Sequence, residues 1–320
     1  MKNVSKIRNL AMIALFAIFT VSCDDDDNNV VVDNTITGKA TATANLSILV
    51  QALVKADLAT TLQGSGPYTV FAPTNDAFTA FLATTPYATI NDVPKEALTQ
   101  ILLNHVVTGS VKSTDLTTGY IKTLAKGTAS TSNTLSMYVN TATGVKLNGI
   151  ATVTTPDIMA SNGVIHIVDK VIDLPTIVTH AVANANFTTL VTVLNRSGQP
   201  NFITALSATG PFTVFAPTNA AFTALNTELA PGGIAGVSAA NLTKVLQYHV
   251  VSPANVLAAT LTEGQIVTPI LIPAQTFTIQ LTGGAKIKDA NNRISNIIIT
   301  DVQCSNGVIH AIDKVLLPIL

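Results

Sequence analysis

The feature that most constrains this chain is an internal repeat. GPYTVFAPTNDAFTA at 66–80 returns as GPFTVFAPTNAAFTA at 210–224, with 13 of 15 positions identical. ILLNHVV at 101–107 returns as VLQYHVV at 245–251, and SNGVIHIVDKVI at 161–172 returns as SNGVIHAIDKVL at 305–316 with 9 of 12 identical. All three pairs are 144 residues apart, so the stretches between them keep their lengths as well. A period that long exceeds the ~20–50 residues of stacked solenoid repeats, whose units cannot bury a core alone. The 320 residues therefore divide into two tandem globular domains, each with its own core.

Both copies follow one pattern. Leu46, Leu49, Val50, Leu53 and Val54 predict an amphipathic helix over 45–58, and Phe187, Leu190, Val191 and Leu194 repeat its stripe after Asn186. Gly66-Pro67 turns the chain into a strand at Tyr68–Ala72, which Pro73 ends. Thr74 and Asn75 are cap-type residues for a short helix that uses Phe78, Phe81 and Leu82. Pro94 then precedes a helix carrying Leu98, Ile101, Leu102 and His105 on one face, matched by Leu242, Val245, Leu246 and His249. The second half of each copy is rich in Thr, Val and Ile: 121–124, 135–140, 145–155 and 163–172 read as antiparallel strands. Asn162-Gly163 and Asn306-Gly307 mark tight turns. Helices followed by strands predict an α+β domain. The junction falls at Leu174-Pro175, with little room for a long linker and limited freedom between domains.

Composition decides the broad class. Apolar residues make up 48% and charged residues 11%, which excludes a disordered chain, and two cysteines exclude a disulfide framework. Lys plus Arg (17) balances Asp plus Glu (18), so there is no basic field to hold nucleic acid. At the N-terminus Lys2, Lys6 and Arg8 precede an apolar run from Leu10 to Val21. About 18 Å of helix falls short of a ~30 Å bilayer core, so residues 1–22 read as a secretion signal. Ser22-Cys23 resembles the lipobox of bacterial lipoproteins, with Thr20 where leucine is usual. That resemblance implies a lipid on Cys23 and membrane attachment through it, with ordinary signal cleavage nearby as the alternative. Asp24 to Asp27, then Asn28 and Asn29, make residues 23–35 an acidic, solvated tether. The run resembles the surface-export signal of Bacteroidetes lipoproteins, which implies an outer-membrane anchor facing outward, or alternatively facing the periplasm. Cys304 is left as a lone, buried, small apolar residue.

The TVFAPTN-x-AF block, the histidine ahead of Val-Val and the NGVIH-x-(I/V)DKV block occur in the same order in both copies and together resemble the fasciclin domain. The resemblance covers two domains, 36–174 and 175–320. It implies a β-wedge with helices packed around it, extracellular adhesion or matrix binding, and no enzymatic activity or cofactor. The family's adhesive Tyr-His motif matches Tyr248-His249, whereas Asn104 stands beside His105 in the first copy. Its Pro-Asp-Ile motif is similar to Pro156-Asp157-Ile158, with Thr155 where a glutamate is expected, and the second copy has Thr300-Asp301-Val302. These matches make Tyr248, His249, Pro156, Asp157 and Ile158 candidate ligand contacts. An integrin partner does not suit a bacterial lipoprotein.

The residues that could carry chemistry have plainer readings. His105 and His166 repeat as His249 and His310; they lie on apolar stripes or in apolar strands, where a hydrogen-bonded neutral imidazole is usual. Asp169 and Asp313 read as strand-end caps, Asp157 and Asp301 as loop residues, and unrepeated His180 as a helix residue near the junction. The three glutamates are not equivalent between copies, and no metal-binding or nucleophile motif is present. The expectation is a surface-anchored, non-catalytic adhesion or matrix-binding protein whose ligand is an extracellular protein or polysaccharide. The alternative is a carbohydrate- or polymer-capturing lipoprotein, which needs an exposed aromatic face from Tyr87, Tyr120, Tyr138 or Tyr248.

Overall fold

Each repeat begins with helices because its apolar residues recur at helical spacing and its caps sit at the right places. In the computed structural model, which describes residues 33–320, these are α1 (Ile36–Thr41), α2 (Ser47–Lys55) and α3 (Ala59–Gln63). The signal segment, Cys23 and the tether up to Val32 lie outside the described residues. The helix expected over 45–58 is broken: a 3₁₀ turn at Ala44–Leu46 precedes α2, and Asp57 takes a left-handed φ of 55° after its end. Strand β1 (Tyr68–Pro73) follows, then α4 (Asn75–Leu82), capped by the Thr74 hydroxyl on Ala77 N. After α5 (Lys95–Leu103) come β2 (Val106–Thr108), β3 (Gly119–Gly127), β4 (Ser130–Asn140), β5 (Lys146–Leu147), β6 (Ala151–Ala160) and β7 (Gly163–Val168).

The second copy repeats the plan with α6 (Ile177–Ala183), α7 (Thr188–Leu194), α8 (Phe202–Leu206), β8 (Phe212–Pro217), α9 (Asn219–Glu228) and α10 (Ala239–Tyr248). It continues with β9 (Val250–Val251), β10 (Ile266–Val267), β11 (Phe277–Gln280), β12 (Lys286–Lys288), β13 (Ile294–Cys304) and β14 (Gly307–Ile312).

The seven-stranded sheets run β2-β1-β7-β6-β5-β4-β3 and β9-β8-β14-β13-β12-β11-β10, the same order twice. Neither is wholly antiparallel: β1 pairs with β7, and β8 with β14, in parallel. That pairing joins the two most similar sequence blocks of each copy, which explains why they recur together. The stretch expected as one strand over 145–155 divides into β5 and β6, because Asn148 (φ 47°) and Gly149 (φ 71°) turn the chain. Asp157 and Asp301, expected in loops, instead sit on β6 and β13 at bulges where the register shifts, with φ of 61° and 58°.

Alternation along the central strands feeds two cores per domain. Val70 and Ala72 join the core under the helices with Leu53, Phe78 and Leu98, while Phe71 points to the other face with Met137, Val139 and Leu147. Val214, Ala216 and Phe215 divide in the same way in the second copy. Each fully buried Leu or Phe contributes about 1.5–3 kcal/mol.

Residues 33–320 form one compact unit, and the β3–β4 hairpin is the arm that joins the domains. Lys122 Nζ donates to Asp301 O at 2.8 Å, Gln303 N to Ser136 Oγ at 3.0 Å, and Ala129 N to Ser305 O at 2.9 Å. At the arm's tip a Cβ on Gly127 would collide with the Ser305 backbone, so the approach requires glycine.

Candidate functional site

The repeated residues fold into a set of backbone staples. His105 follows α5 at the start of β2; its Nδ1 donates to Ile101 O at 2.8 Å and its Nε2 accepts from Ile172 N at 2.8 Å. His249 does the same with Val245 O at 2.7 Å and Leu316 N at 2.9 Å. Each therefore ties the end of a helix to the segment after the last strand. Burial pushes both imidazoles down to about 4, so they are neutral and carry the proton on Nδ1.

The second histidine of each copy has the opposite tautomer. His166 Nε2 donates to Val111 O at 2.9 Å while its Nδ1 accepts from Asp157 N at 3.2 Å. His310 Nε2 donates to Val256 O at 2.8 Å and its Nδ1 faces Asp301 N at 3.4 Å; burial lowers its pKa. The left-handed bulge at each aspartate is what aims its N–H at the ring. Ser113 bonds the Asp157 carboxylate through N at 2.8 Å and Oγ at 2.6 Å, which holds that carboxyl below the usual carboxylate range. The serine hydroxyl thus addresses the carboxylate and not the imidazole, an order unlike that of a nucleophilic triad.

Asp169 Oδ1 accepts from Thr152 N at 2.6 Å, and Asp313 Oδ1 from Asn296 N at 2.7 Å, each bracing the end of its central strand. Three further repeated pairs staple the backbone, and sequence reasoning had read them as turn, cap or strand residues. Asn162 holds Ile36 N, Leu62 O and Gly64 O, as Asn306 holds Ile177 N, Leu206 O and Ala208 O. Asn75 and Asn219 accept from Ile48 N and Thr189 N, each at 2.9 Å, and Thr69 and Thr213 bridge the loop after the second strand. The signal for these was the repeat itself.

Tyr248 and His249 are buried, with Tyr248 wholly inaccessible. The Tyr248 hydroxyl donates to Thr276 O at 2.7 Å and accepts from Ala290 N at 3.1 Å, and burial pushes its pKa up to about 12. Neither side chain has a surface on which to meet a ligand. Asn104, at the same position in the first copy, is likewise buried, bonded to Ile172 O, Asp173 O and the Thr123 hydroxyl. Pro156 is exposed, whereas Asp157 and Ile158 are half-buried and Asp157 is committed to Ser113. The structure does not bring the two motif segments together: one belongs to each domain.

Unrepeated His180 is the residue whose importance the sequence concealed. It is buried where α6 meets the arm, its ring edge-on to Tyr120 at 5.3 Å, and Asn184 Nδ2 donates to the Tyr120 hydroxyl at 3.1 Å. Neither ring nitrogen meets hydrogen-bond geometry, although the Ser136 backbone lies close enough to offset part of the burial. Burial pushes this imidazole down to about 3. Lys122 beside it is lowered as well, by the same cause. Among the described residues, no three His, Cys, Asp or Glu side chains gather as a metal site. Cys304 is a buried free thiol whose pKa burial raises.

Comparison with known proteins agrees with the repeated architecture. The Fasciclin domain model matches residues 44–175 and again 185–318. A Synechocystis protein, "Protein sll1483", is 40% identical over 145 residues, 45% of this chain and 73% of its own length. Rabbit (Oryctolagus cuniculus) transforming growth factor-beta-induced protein ig-h3 is 30% identical over 266 residues, and human periostin 27% over 271. Each alignment covers 80% of this chain, but the chain spans only 35% and 29% of those two proteins. The solved FAS1 domain pair from the insect cell adhesion molecule Fasciclin I covers 88% of this chain and 95% of its own, at 18% identity and a TM-score of 0.49. With both repeats matched over most of their length, this chain belongs to the fasciclin domain family and carries two copies in tandem.

Proposed function

We propose that this protein is a non-catalytic adhesion or matrix-binding module, held at the outer membrane by a lipid on Cys23 and facing outward. The observation that carries the reading is that both halves are fasciclin domains, a module found in adhesion proteins such as ig-h3 and periostin. A second feature supports it. The repeated histidines, aspartates and asparagines are spent on backbone staples, which leaves the outer surfaces as the place for recognition. The ligand in this reading is an extracellular protein or polysaccharide. Deleting the gene is expected to reduce attachment of the cells to a coated surface, with restoration by the intact gene; unchanged attachment overturns the reading. Cys23→Ala is expected to move the protein out of the membrane fraction, and persistence there overturns the anchor. Protease treatment of whole cells is expected to remove the domains, and full protection overturns the outward orientation.

A further inference from the structure

Each domain has a surface groove that the staples do not use, and the two coincide only along one wall, at Gln51, Ile90 and Asn91 in the first and Thr192, Ile234 and Ala235 in the second. In the first domain it lies between α2, α4 and the loop 83–91, with a volume of about 770 Å³. In the second it lies between α7 and the turn at Ile234–Gly236, with about 740 Å³. Both are within the usual range for small-molecule sites, ~300–1,000 Å³. A cation at the end of the helix fastens the far wall in each: Lys55 Nζ donates to the carbonyls of Ile90 and Asn91, and Arg196 donates to those of Ile234 and Ala235 at 3.0 Å. In the first domain the wall is pinned further by Thr85 Oγ1 on Leu82 O and by Thr89, which donates through N and Oγ1 to Asp92. The groove is thus preformed, which lowers the ordering cost of binding.

What differs is the lining. The first groove presents Tyr87, Gln51 and Asn91, and among the described residues none of these three side chains makes an internal hydrogen bond. Ile48 and Leu82 supply apolar floor, and no charged side chain lines it. At the matching positions the second domain has Pro231, Thr192 and Ala235, of which Thr192 and Ala235 line its groove. One wall therefore occurs twice, with an aromatic ring and two free amides beside it in the first copy and none of them in the second. Tyr120 and Tyr138 are taken up by the domain contact and the core, and Tyr248 is buried, so Tyr87, half-buried with part of its ring against the helical core, is what remains of the candidate aromatic face.

We infer that the groove of the first domain binds a neutral oligosaccharide segment. A pyranose offers apolar C–H faces to a tyrosine ring and a rim of hydroxyls that donate and accept, which suits amides and a phenol. A phosphate, a uronate or an acidic peptide would find no opposite charge in the lining and would lose its hydration without compensation. The inference rests on the reading of this chain as a binding protein and names the chemistry one of its surfaces takes.

The test is calorimetric titration of the full chain, in a detergent without sugar headgroups. The probes are cellohexaose, laminarihexaose, maltohexaose, xylohexaose and mannohexaose, alongside a pool of uncharged hexapeptides. At least one hexasaccharide is expected to bind. Tyr87→Ala should weaken it roughly tenfold, the worth of one aromatic platform. Gln51→Ala and Asn91→Ala, both at exposed positions that leave the core untouched, should weaken it severalfold, and Thr192→Ala in the second domain should leave it unchanged. Silence of all five sugars at millimolar concentration overturns the inference. So does sugar binding that the three first-domain substitutions leave intact, or peptide binding that they abolish. Cell attachment enters none of these outcomes, so the adhesion reading and the groove can fail separately.

Discussion

The two domains share a backbone plan and nearly every staple, yet they play different parts in the pair. The first grows a long arm, β3 of nine residues and β4 of eleven; the second has β10 and β11 of two and four. The second carries the receptor for that arm on α6 and at its C-terminal cap, His180 and Asn184, where the first has Lys39 on α1 and Thr43 just after it. What recurs in both copies builds a domain, and what occurs in one copy joins the domains or lines the groove proposed for binding. That division can be broken or sharpened by substitution.

The largest effect is expected at a shared staple. His105→Ala or His249→Ala leaves a buried carbonyl and a buried N–H unpaired and opens a cavity, at a cost of about 3 kcal/mol or more. Urea unfolding followed by hydrogen exchange at the Ile172 and Leu316 amides should show each substitution weakening its own domain most. Equal loss in both domains for either change would mean that the pair, not the single domain, is the folding unit.

Acid should separate the two copies next. A histidine whose folded pKa is depressed stays neutral in the native state while the unfolded chain takes up a proton. Stability is then intact above the unfolded value of ~6.5 and is lost as pH falls from there towards the folded value. At pH 5 an imidazole held at about 4 withholds about 2 kcal/mol. The first domain has His105 in that condition, whereas the second has His249 and His180, with His310 shifted the same way. The second domain should therefore open first between pH 6.5 and 4. Cys304 reports it: in a Cys23→Ala chain, thiol reactivity measured after brief acid exposure should appear before the first domain loses its protected amides.

These contrasts also mark what the sequence could and could not disclose. Tandem α+β domains, the β1 strand with its Thr74-capped helix, and buried histidines were all legible because a repeat of 144 residues preserves what each domain needs. The parallel β1–β7 pairing was not, since periodicity reports which face is buried and not which strand lies alongside. The bulges at Asp157 and Asp301 were hidden for a related reason: a left-handed aspartate looks like a turn residue until its N–H is seen to face a histidine. His180 was passed over because it has no repeat partner, although lacking one is what a residue specific to the domain contact should do.

His180 should respond opposite in sign to His249. Its buried ring nitrogens fall short of hydrogen-bond geometry and have only the Ser136 backbone nearby, so His180→Leu removes a desolvation cost while keeping an apolar body against Tyr120. The expected outcome is a gain of about 1 kcal/mol in urea unfolding and a flatter acid limb for the second domain. A loss would show that the Ser136 backbone holds the imidazole by a hydrogen bond.

The smallest effect on attachment is expected at Tyr248, in the segment that matches the family's Tyr-His motif. Tyr248→Phe keeps the ring among Phe215, Phe277 and their neighbours and deletes two hydrogen bonds, to Thr276 O and from Ala290 N. About 1–2 kcal/mol of stability in the second domain should go, with attachment unchanged. Asn104 already does comparable work in the first copy with an amide, bridging α5 to the end of its own domain. Two unlike residues at one position, both buried and both tying backbone, are what an internal brace allows and a shared ligand contact does not. Unchanged attachment by Tyr248→Phe cells, with the small stability loss, agrees with a brace; a loss of attachment at full stability would return this tyrosine to the binding surface.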